Sequence, residues 1–289
     1  MNYYIKIPKD NDNIVELWSV KRLTFEPKGW LFDMRESLKT AITQLNITDD
    51  RILAATYTSP IEGLCDVENI LFYNVGTGRF KTVCQNGFLI ERSFNTITDP
   101  VKKTQFYAHH QRYEFVSKNQ QPLHWTMSDM LASWDHILLP TLTTNTKPHL
   151  YWYLMKENPI STYGVTIYEG YFGIELEISI PPTHTFNFAA MIKPMLDGII
   201  SAFHSYQGEQ LAEVSSRLSL SLSSQSDYIS TLLLDTRLSI LGSRCVLHPF
   251  LKNVQWNPAD DKCVVIKLIC NNCAENESAR MSGQLFKVK

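Results

Sequence analysis

The sequence predicts an α+β protein, with mixed or antiparallel sheets and a few helices packed on them. Three observations carry that expectation. Several runs alternate with the two-residue period of a half-buried strand, among them YFGIELEISI (171–180) and CVVIKLIC (263–270). Two segments, FDMRESLKTAITQL (32–45) and FAAMIKPMLDGIISAF (188–203), keep helical spacing instead. The 289 residues are 44% hydrophobic and only 19% charged, enough apolar material for a large core and too little charge for a disordered tail or a long coiled coil.

The elements follow in chain order. Residues 3–7 and 14–25 alternate as strands, and the helix over 32–45 places Met34, Leu38, Ala41, Ile42 and Leu45 on one face before Asn46 ends it. Asp49-Asp50 then precedes a strand, RILAATYT (51–58), a loop, SPIEGLCD, and a run read as a second strand, ENILFYNV (68–75). Gly76-Thr77-Gly78 lacks the glycines of a phosphate loop and reads as a hairpin turn. FKTVCQNGFLIERSF (80–94) reads as a hairpin about Asn86-Gly87, and QFYAHHQRYEFV (105–116) as a strand. Ser128 to Leu138 reads as a short helix with Ser128 as its N-cap. TLTTNTKP (141–148) is the best loop boundary. HLYWYLM, YGVTIYEG and YFGIELEISI then read as three strands. In the helix over 188–203, Pro194 demands a late start or a kink. Leu218, Leu220 and Leu222 alternate with serines as a strand would, and residues 227–241 suit a short helix. CVVIKLIC, a polar loop and GQLFKV (283–288) close the chain.

Composition narrows the function classes. With 27 Lys and Arg against 29 Asp and Glu, the net charge is −2, which excludes a histone-like binder driven by bulk charge but not a local basic groove. No apolar run suits a secretory signal or a membrane span, and six cysteines in this length are no disulfide framework, so a reduced cytoplasmic protein with no membrane partner is expected. Cys270 and Cys273 form one CxxC pair where a four-thiolate zinc site normally shows two, so Cys245, Cys263, Cys270 and Cys273 read as small apolar side chains. His109 and His110 are adjacent in a strand and face opposite ways, and no HxH or HxxxH pair occurs. Glu175 and Glu177 share one strand face, read as the solvated face with Ile174, Leu176 and Ile178 inside. Phe106, Tyr107, Tyr113, Trp125, Trp134, Tyr151, Trp152 and Tyr153 crowd the middle section, as core or interface residues more than as a base-stacking surface.

One order of elements occurs twice: a helix with a lysine, a pair of aspartates, a strand, a loop and a strand. The first copy carries Asp33, Lys39 and Asp49-Asp50, and the second Lys193, Asp197 and Asp260-Asp261 after IELEISIPPTH. In this the sequence resembles the RusA-type Holliday junction resolvases. The resemblance implies a homodimer-like pair of halves within one chain: 1–78, then a connecting β-rich section over 79–147, then 148–289 with an insert at about 205–255. It also implies Mg²⁺ held by carboxylates, with Asp33, Asp49 and Asp50 as ligands, Glu36 as a fourth, and Lys39 beside them as a catalytic lysine.

The departures shape what is expected of function. Positions equivalent to the ligands before Lys193 are Asn187, Ala189 and Ala190, and in the first copy Arg35 stands where a second aspartate belongs. Mg²⁺ wants several oxygen ligands, so the missing carboxylates point to a nucleic-acid-associated relative that no longer cuts well. Two alternatives stand beside it. One is a non-enzymatic protein-interaction subunit of a bacterial or phage assembly. The other is a Mg²⁺-dependent, structure-selective endonuclease. A plain structural account also exists for the acids: Asp33 with Glu36 suits a capping box, and paired aspartates suit turns.

Overall fold

A computed structural model describes residues 2–9, 13–47, 50–61, 65–98, 106–140, 146–164, 167–182 and 186–289. In chain order the first part contains β1 (Tyr3–Lys6), β2 (Ile14–Ser19), α1 (Trp30–Ile42) and β3 (Arg51–Thr58). A helical stretch follows, made of a π-helical turn (Asn69–Tyr73), a 3-10 turn (Thr77–Arg79) and α2 (Phe80–Val83), and then β4 (Gly87–Ser93) and β5 (His109–Ser117). The second part contains β6 (Met127–Leu138), α3 (Pro148–Glu157), β7 (Ser161–Thr162), β8 (Phe172–Ile180) and α4 (Phe188–Ala202). Between α4 and the closing strands lie β9 (Ser205–Tyr206), α5 (Leu211–Leu222), α6 (Ser226–Leu234), β10 (Ser243–Arg244), β11 (Leu247–Phe250) and β12 (Asn253–Trp256). A 3-10 turn (Asp260–Lys262) leads into β13 (Cys263–Asn272), and β14 (Arg280–Val288) ends the chain.

Ten of these strands form one mixed sheet in the order β1-β2-β5-β3-β4-β13-β8-β14-β6-β7, so the protein is α+β as the sequence predicts. The pair directions read the same from either edge. β3–β4 and β13–β8 are parallel, and every other pair, including the central β4–β13, is antiparallel. The sheet draws strands from all three of the segments 1–78, 79–147 and 148–289.

The helices cover one face. α1 buries Met34, Leu38, Ala41 and Ile42, and α4 buries residues nearly all round, including Phe188, Met191, Ile192, Met195, Leu196, Ile199 and Ile200. They meet inward-facing strand residues such as Leu53, Ala55, Ile90, Ile174, Leu176, Ile178, Ile266 and Leu268 in one continuous core. At about 25 cal/mol per Å² of apolar surface, this burial is the main term holding the layers together. The opposite face carries a small apolar cluster of Ile52, Leu89, Val264, Val265, Phe286 and Val288. Beside that cluster run polar ladders: Lys267 pairs with Glu175 at 3.1 Å, and Asn271 donates to Glu177 at 2.7 Å. Glu175 and Glu177 thus lie on the polar side with Ile174, Leu176 and Ile178 inside, as expected.

Several expected elements take the other form. Residues 68–75 are helical, because Val67, Ile70, Leu71, Phe72 and Val75 are buried at helical spacing while Tyr73 faces out. Gly76 lies between two helical turns rather than in a hairpin, and its φ of 120° is one that glycine adopts without strain. FKTV is α2, so no hairpin forms about Asn86-Gly87. HLYWYLM lies in α3, with Pro148 at its first turn and Tyr151, Trp152 and Met155 inside. Ser128 to Leu138 is strand, paired along β14. Of the strand expected at YGVTIYEG, residues 165–166 lie outside the described residues, and the nearest strand is the two-residue β7. The Leu/Ser run is α5, which turns Leu218 inward and Leu220 outward. α4 runs from Phe188 through Pro194, and the Asn187 side chain caps it by accepting from the Ala190 N–H at 3.3 Å. No described helix is long and apolar enough to cross a membrane.

Candidate metal centre at Lys193

Four carboxylates converge on one ammonium. Lys193 and Asp197 lie one turn apart on α4, and the Lys193 Nζ is 2.8 Å from Asp197 Oδ1. It also stands 3.1 Å from Asp66 Oδ2 and 3.3 Å from Glu68 Oε1, and it donates to Asp260 Oδ2. Asp66 and Glu68 come from the start of the helical stretch after β3, and Asp260 opens the 3-10 turn before β13. The centre therefore ties α4 to segments from both ends of the chain.

Glu68 is the unusual member. It is 1% exposed, and its Oε2 has no hydrogen-bond partner. Burial pushes its carboxyl up to about 8, against the pull of Lys193, and the neighbouring Asp66, Asp260 and Asp197 push the same way. Burial also raises Asp197 and Asp260, because one ammonium is shared among four acids. Lys193 is raised as well: desolvation disfavours its charge, but the surrounding carboxylates outweigh that and hold it protonated. Ligand oxygens of Asp66, Glu68 and Asp260 lie within 4.8 Å of one another. Three carboxylate oxygens so placed suit a hard divalent cation, and the buried Oε2 is a lone-pair donor with nothing to bind.

In the second copy of the repeat, where the ligand set is expected to be lost, Lys193 contacts both Asp197 and Asp260. The site residues expected in the first copy are not assembled. Asp33 is exposed in the first turn of α1, where Gly29 rather than Asp33 takes the N-cap position. Glu36 pairs with Lys39 at 2.8 Å and with Arg35 at 3.3 Å. Asp50 is an exposed turn residue, and Asp49 lies outside the described residues. Among the described residues, Asp33, Glu36 and Asp50 do not come within the spacing of a metal set, and Asp66, Glu68 and Asp260 are the only set that does. No cysteine joins such a set, and all six cysteines are free. Asp66 ends the loop SPIEGLCD and Glu68 opens the run ENILFYNV, which the sequence pattern marks as strand, so neither stands out as a ligand in the sequence. Read as the start of a helix, Asp66-Val-Glu68 is an acidic entry onto a helical face.

A cleft of about 370 Å³ opens beside Asp66, lined by Arg22, Leu23, Thr24, Phe25, Cys65, Asn69, Ile70, Tyr73 and Asn74. Asn69 Nδ2 donates to Asp66 Oδ2 at 2.6 Å, so one carboxylate oxygen is shared by the cleft wall and Lys193. Behind the cleft, the Tyr57 hydroxyl is 2.8 Å from His109 Nδ1. Burial, helped by Arg22, lowers His109 to about 4 and keeps its ring neutral at pH 7. His110 faces the opposite side of the sheet, where it and Arg112 pair with Glu16 at 3.3 and 3.2 Å. Burial alone would raise Glu16, but His110, Arg112 and Lys6 overcome it and hold the carboxyl at about 2. The aromatic middle section is largely core: Tyr113, Trp134, Tyr151 and Trp152 are buried, whereas Phe106 is exposed.

Comparison of the chain with protein-family models, with curated proteins and with solved structures found no match in any of the three.

Proposed function

We propose that the protein is nucleic-acid-associated and holds a divalent cation, Mg²⁺ by the hardness of its ligands, at Asp66, Glu68 and Asp260. The observation that carries this is the buried Glu68, whose Oε2 has no hydrogen-bond partner and whose carboxylate offers an oxygen within 4.8 Å of oxygens of Asp66 and Asp260. The reading keeps the RusA-type resemblance but moves its centre from Asp33, Asp49 and Asp50 to the carboxylates around Lys193. A bound cation would supply charge neutralisation for a phosphodiester oxygen. The Lys193 ammonium contacts the same three carboxylates, so a cation would share them with it, and Asp197 holds that ammonium from one helical turn away. Without a cation the cluster is net negative and repels a phosphate backbone, so association with DNA should depend on the dication.

The test is binding and cleavage of branched and linear duplexes with Mg²⁺, with Mn²⁺ and with EDTA, at several salt concentrations. The expected result is dication-dependent, salt-sensitive binding that Glu68→Gln abolishes. A cut lost in the same variant would establish the nuclease form of the reading. No dication binding, and no salt-sensitive DNA binding at low salt, would overturn it. The rival reading, a protein-interaction subunit, draws on Leu220, Phe250 and Leu251, which stand exposed on and beside the α5–β12 region. Purification with a stable protein partner and no nucleic acid would favour that rival.

A further inference from the structure

We propose that the cleft beside Asp66 is a subsite for one unpaired nucleotide, with the base stacked on the Phe25–Tyr73 pair and the phosphate on Arg22. The inference rests on the nucleic-acid reading above and names the part of the substrate recognised next to the metal centre.

Phe25 and Tyr73 stack with ring centroids 5.1 Å apart and planes 9° from parallel. The two rings come from segments nearly fifty positions apart, yet they are 56% and 49% exposed. Two stacked rings this exposed offer aromatic surface to solvent, the kind of surface on which bases stack without sequence preference. Asn74 fixes the platform by donating to the Leu23 carbonyl at 3.0 Å, tying the Phe25 loop to the Tyr73 helix.

Arg22 supplies the anion site. Its side chain is exposed, it hydrogen-bonds the Cys65 thiol, and it forms no ion pair among the described residues. A guanidinium presents its donors in a fork that matches two phosphate oxygens. Asn69 and Asp66 form the wall toward Lys193, so a phosphate on Arg22 would sit at the edge of the carboxylate set. The cleft volume, about 370 Å³, falls at the small end of the range for ligand sites, as a single nucleotide requires. A duplex keeps both faces of each base stacked and cannot use such a platform, so the subsite selects flipped, looped or single-stranded positions.

Fluorescence anisotropy with a labelled oligothymidylate, in Mn²⁺ and in EDTA, tests the proposal, with Mn²⁺ binding measured separately by calorimetry. The expected result is that Phe25→Ala and Tyr73→Ala each weaken the oligonucleotide about tenfold, Arg22→Ala weakens it comparably, and Tyr73→Trp retains affinity. The three positions changed are on the surface, and an unchanged thermal midpoint confirms each fold. If Mn²⁺ binds but the oligonucleotide affinity is absent or indifferent to Phe25, Tyr73 and Arg22, the subsite is overturned while the metal reading stands. If the aromatic and arginine variants lose affinity but no Mn²⁺ binds, the subsite stands and the metal reading fails.

Discussion

At the scale of single residues, Glu68 and Lys193 are both pushed toward keeping their protons, Glu68 by burial and Lys193 by carboxylates that outweigh its burial. Glu68 is a carboxyl whose ordinary value of 4.5 is raised to about 8 in the fold. Below 4.5 it is protonated folded and unfolded, and its neutral form is the one the interior favours. Between 4.5 and about 8 the unfolded chain ionises it while the folded chain resists, so stability falls as pH rises through that window. Glu68→Gln keeps the shape without the ionisable group and should flatten this part of a thermal-midpoint-against-pH curve. An unchanged curve would show that Glu68 is not the group responsible. Lys193→Met should do the reverse of stabilising. It leaves Asp66, Glu68, Asp197 and Asp260 facing one another with no cation, and we expect a loss of about 3–5 kcal/mol in urea unfolding at pH 8, smaller at pH 5 where the acids take up protons. A loss that did not vary with pH would mean that packing of the lysine stem, not charge, is what the variant removes.

Among the elements, α4 holds the centre in place because it is pinned on both sides. Its cap at Asn187 and its buried apolar faces fix the rotation that points Lys193 and Asp197 at Asp260. On its far side Gly198 lets α3 approach closely: a β-carbon there would stand 2.3 Å from the Pro148 carbonyl oxygen and 2.8 Å from the Tyr151 β-carbon. Gly198→Ala, normally favourable in a helix, should therefore destabilise by about 1–3 kcal/mol and shift α4 against α3. A neutral or stabilising result would mean that the two helices separate without cost. Legibility in the sequence divides at this scale. Helix α4 and strands β8 and β13 were readable, since their periods are long and consistent. Residues 68–75 and 149–155 were not. Both are short apolar runs whose burial decides between helix and strand, and strand-prone Ile, Phe, Tyr and Trp there follow tertiary packing rather than local preference.

For the molecule as a whole, the sheet reads alike from its two edges, and its element order repeats. A strand, a helix, a strand, a helical segment and two strands occur first as β2-α1-β3-α2-β4-β5 and again as β6-α3-β8-α4-β13-β14, the second series interrupted by β7 and by the segment from β9 to β12. The repeat seen in sequence paired α1 with α4 and β3 with β13, whereas element order pairs α1 with α3 and β3 with β8. The offset follows from residues 149–155 and 128–138, whose local patterns suggest strand and helix but which fold as helix and strand. Only part of the site is legible in the sequence: Lys193, Asp197 and Asp260 stand out in the second copy without a full ligand set, whereas Asp66 ends a loop and Glu68 opens a run that reads as strand. The seam between the two series is β4–β13, where a β-carbon on Gly87, at φ 113°, would stand 2.0 Å from the Leu268 carbonyl oxygen. Gly87→Ala should loosen that seam and accelerate amide exchange in β4 and β13 together. Faster exchange in β4 alone would mean that the two series unfold independently.

The central claim is that Asp66, Glu68 and Asp260 form a divalent-cation site, and calorimetric titration of the protein with Mn²⁺ tests it most directly. The account predicts one ion per chain, proton release on binding, affinity that strengthens as pH rises toward 8, and loss of binding in both Glu68→Gln and Asp260→Asn. No binding at pH 8, or binding unaltered by both substitutions, would contradict it.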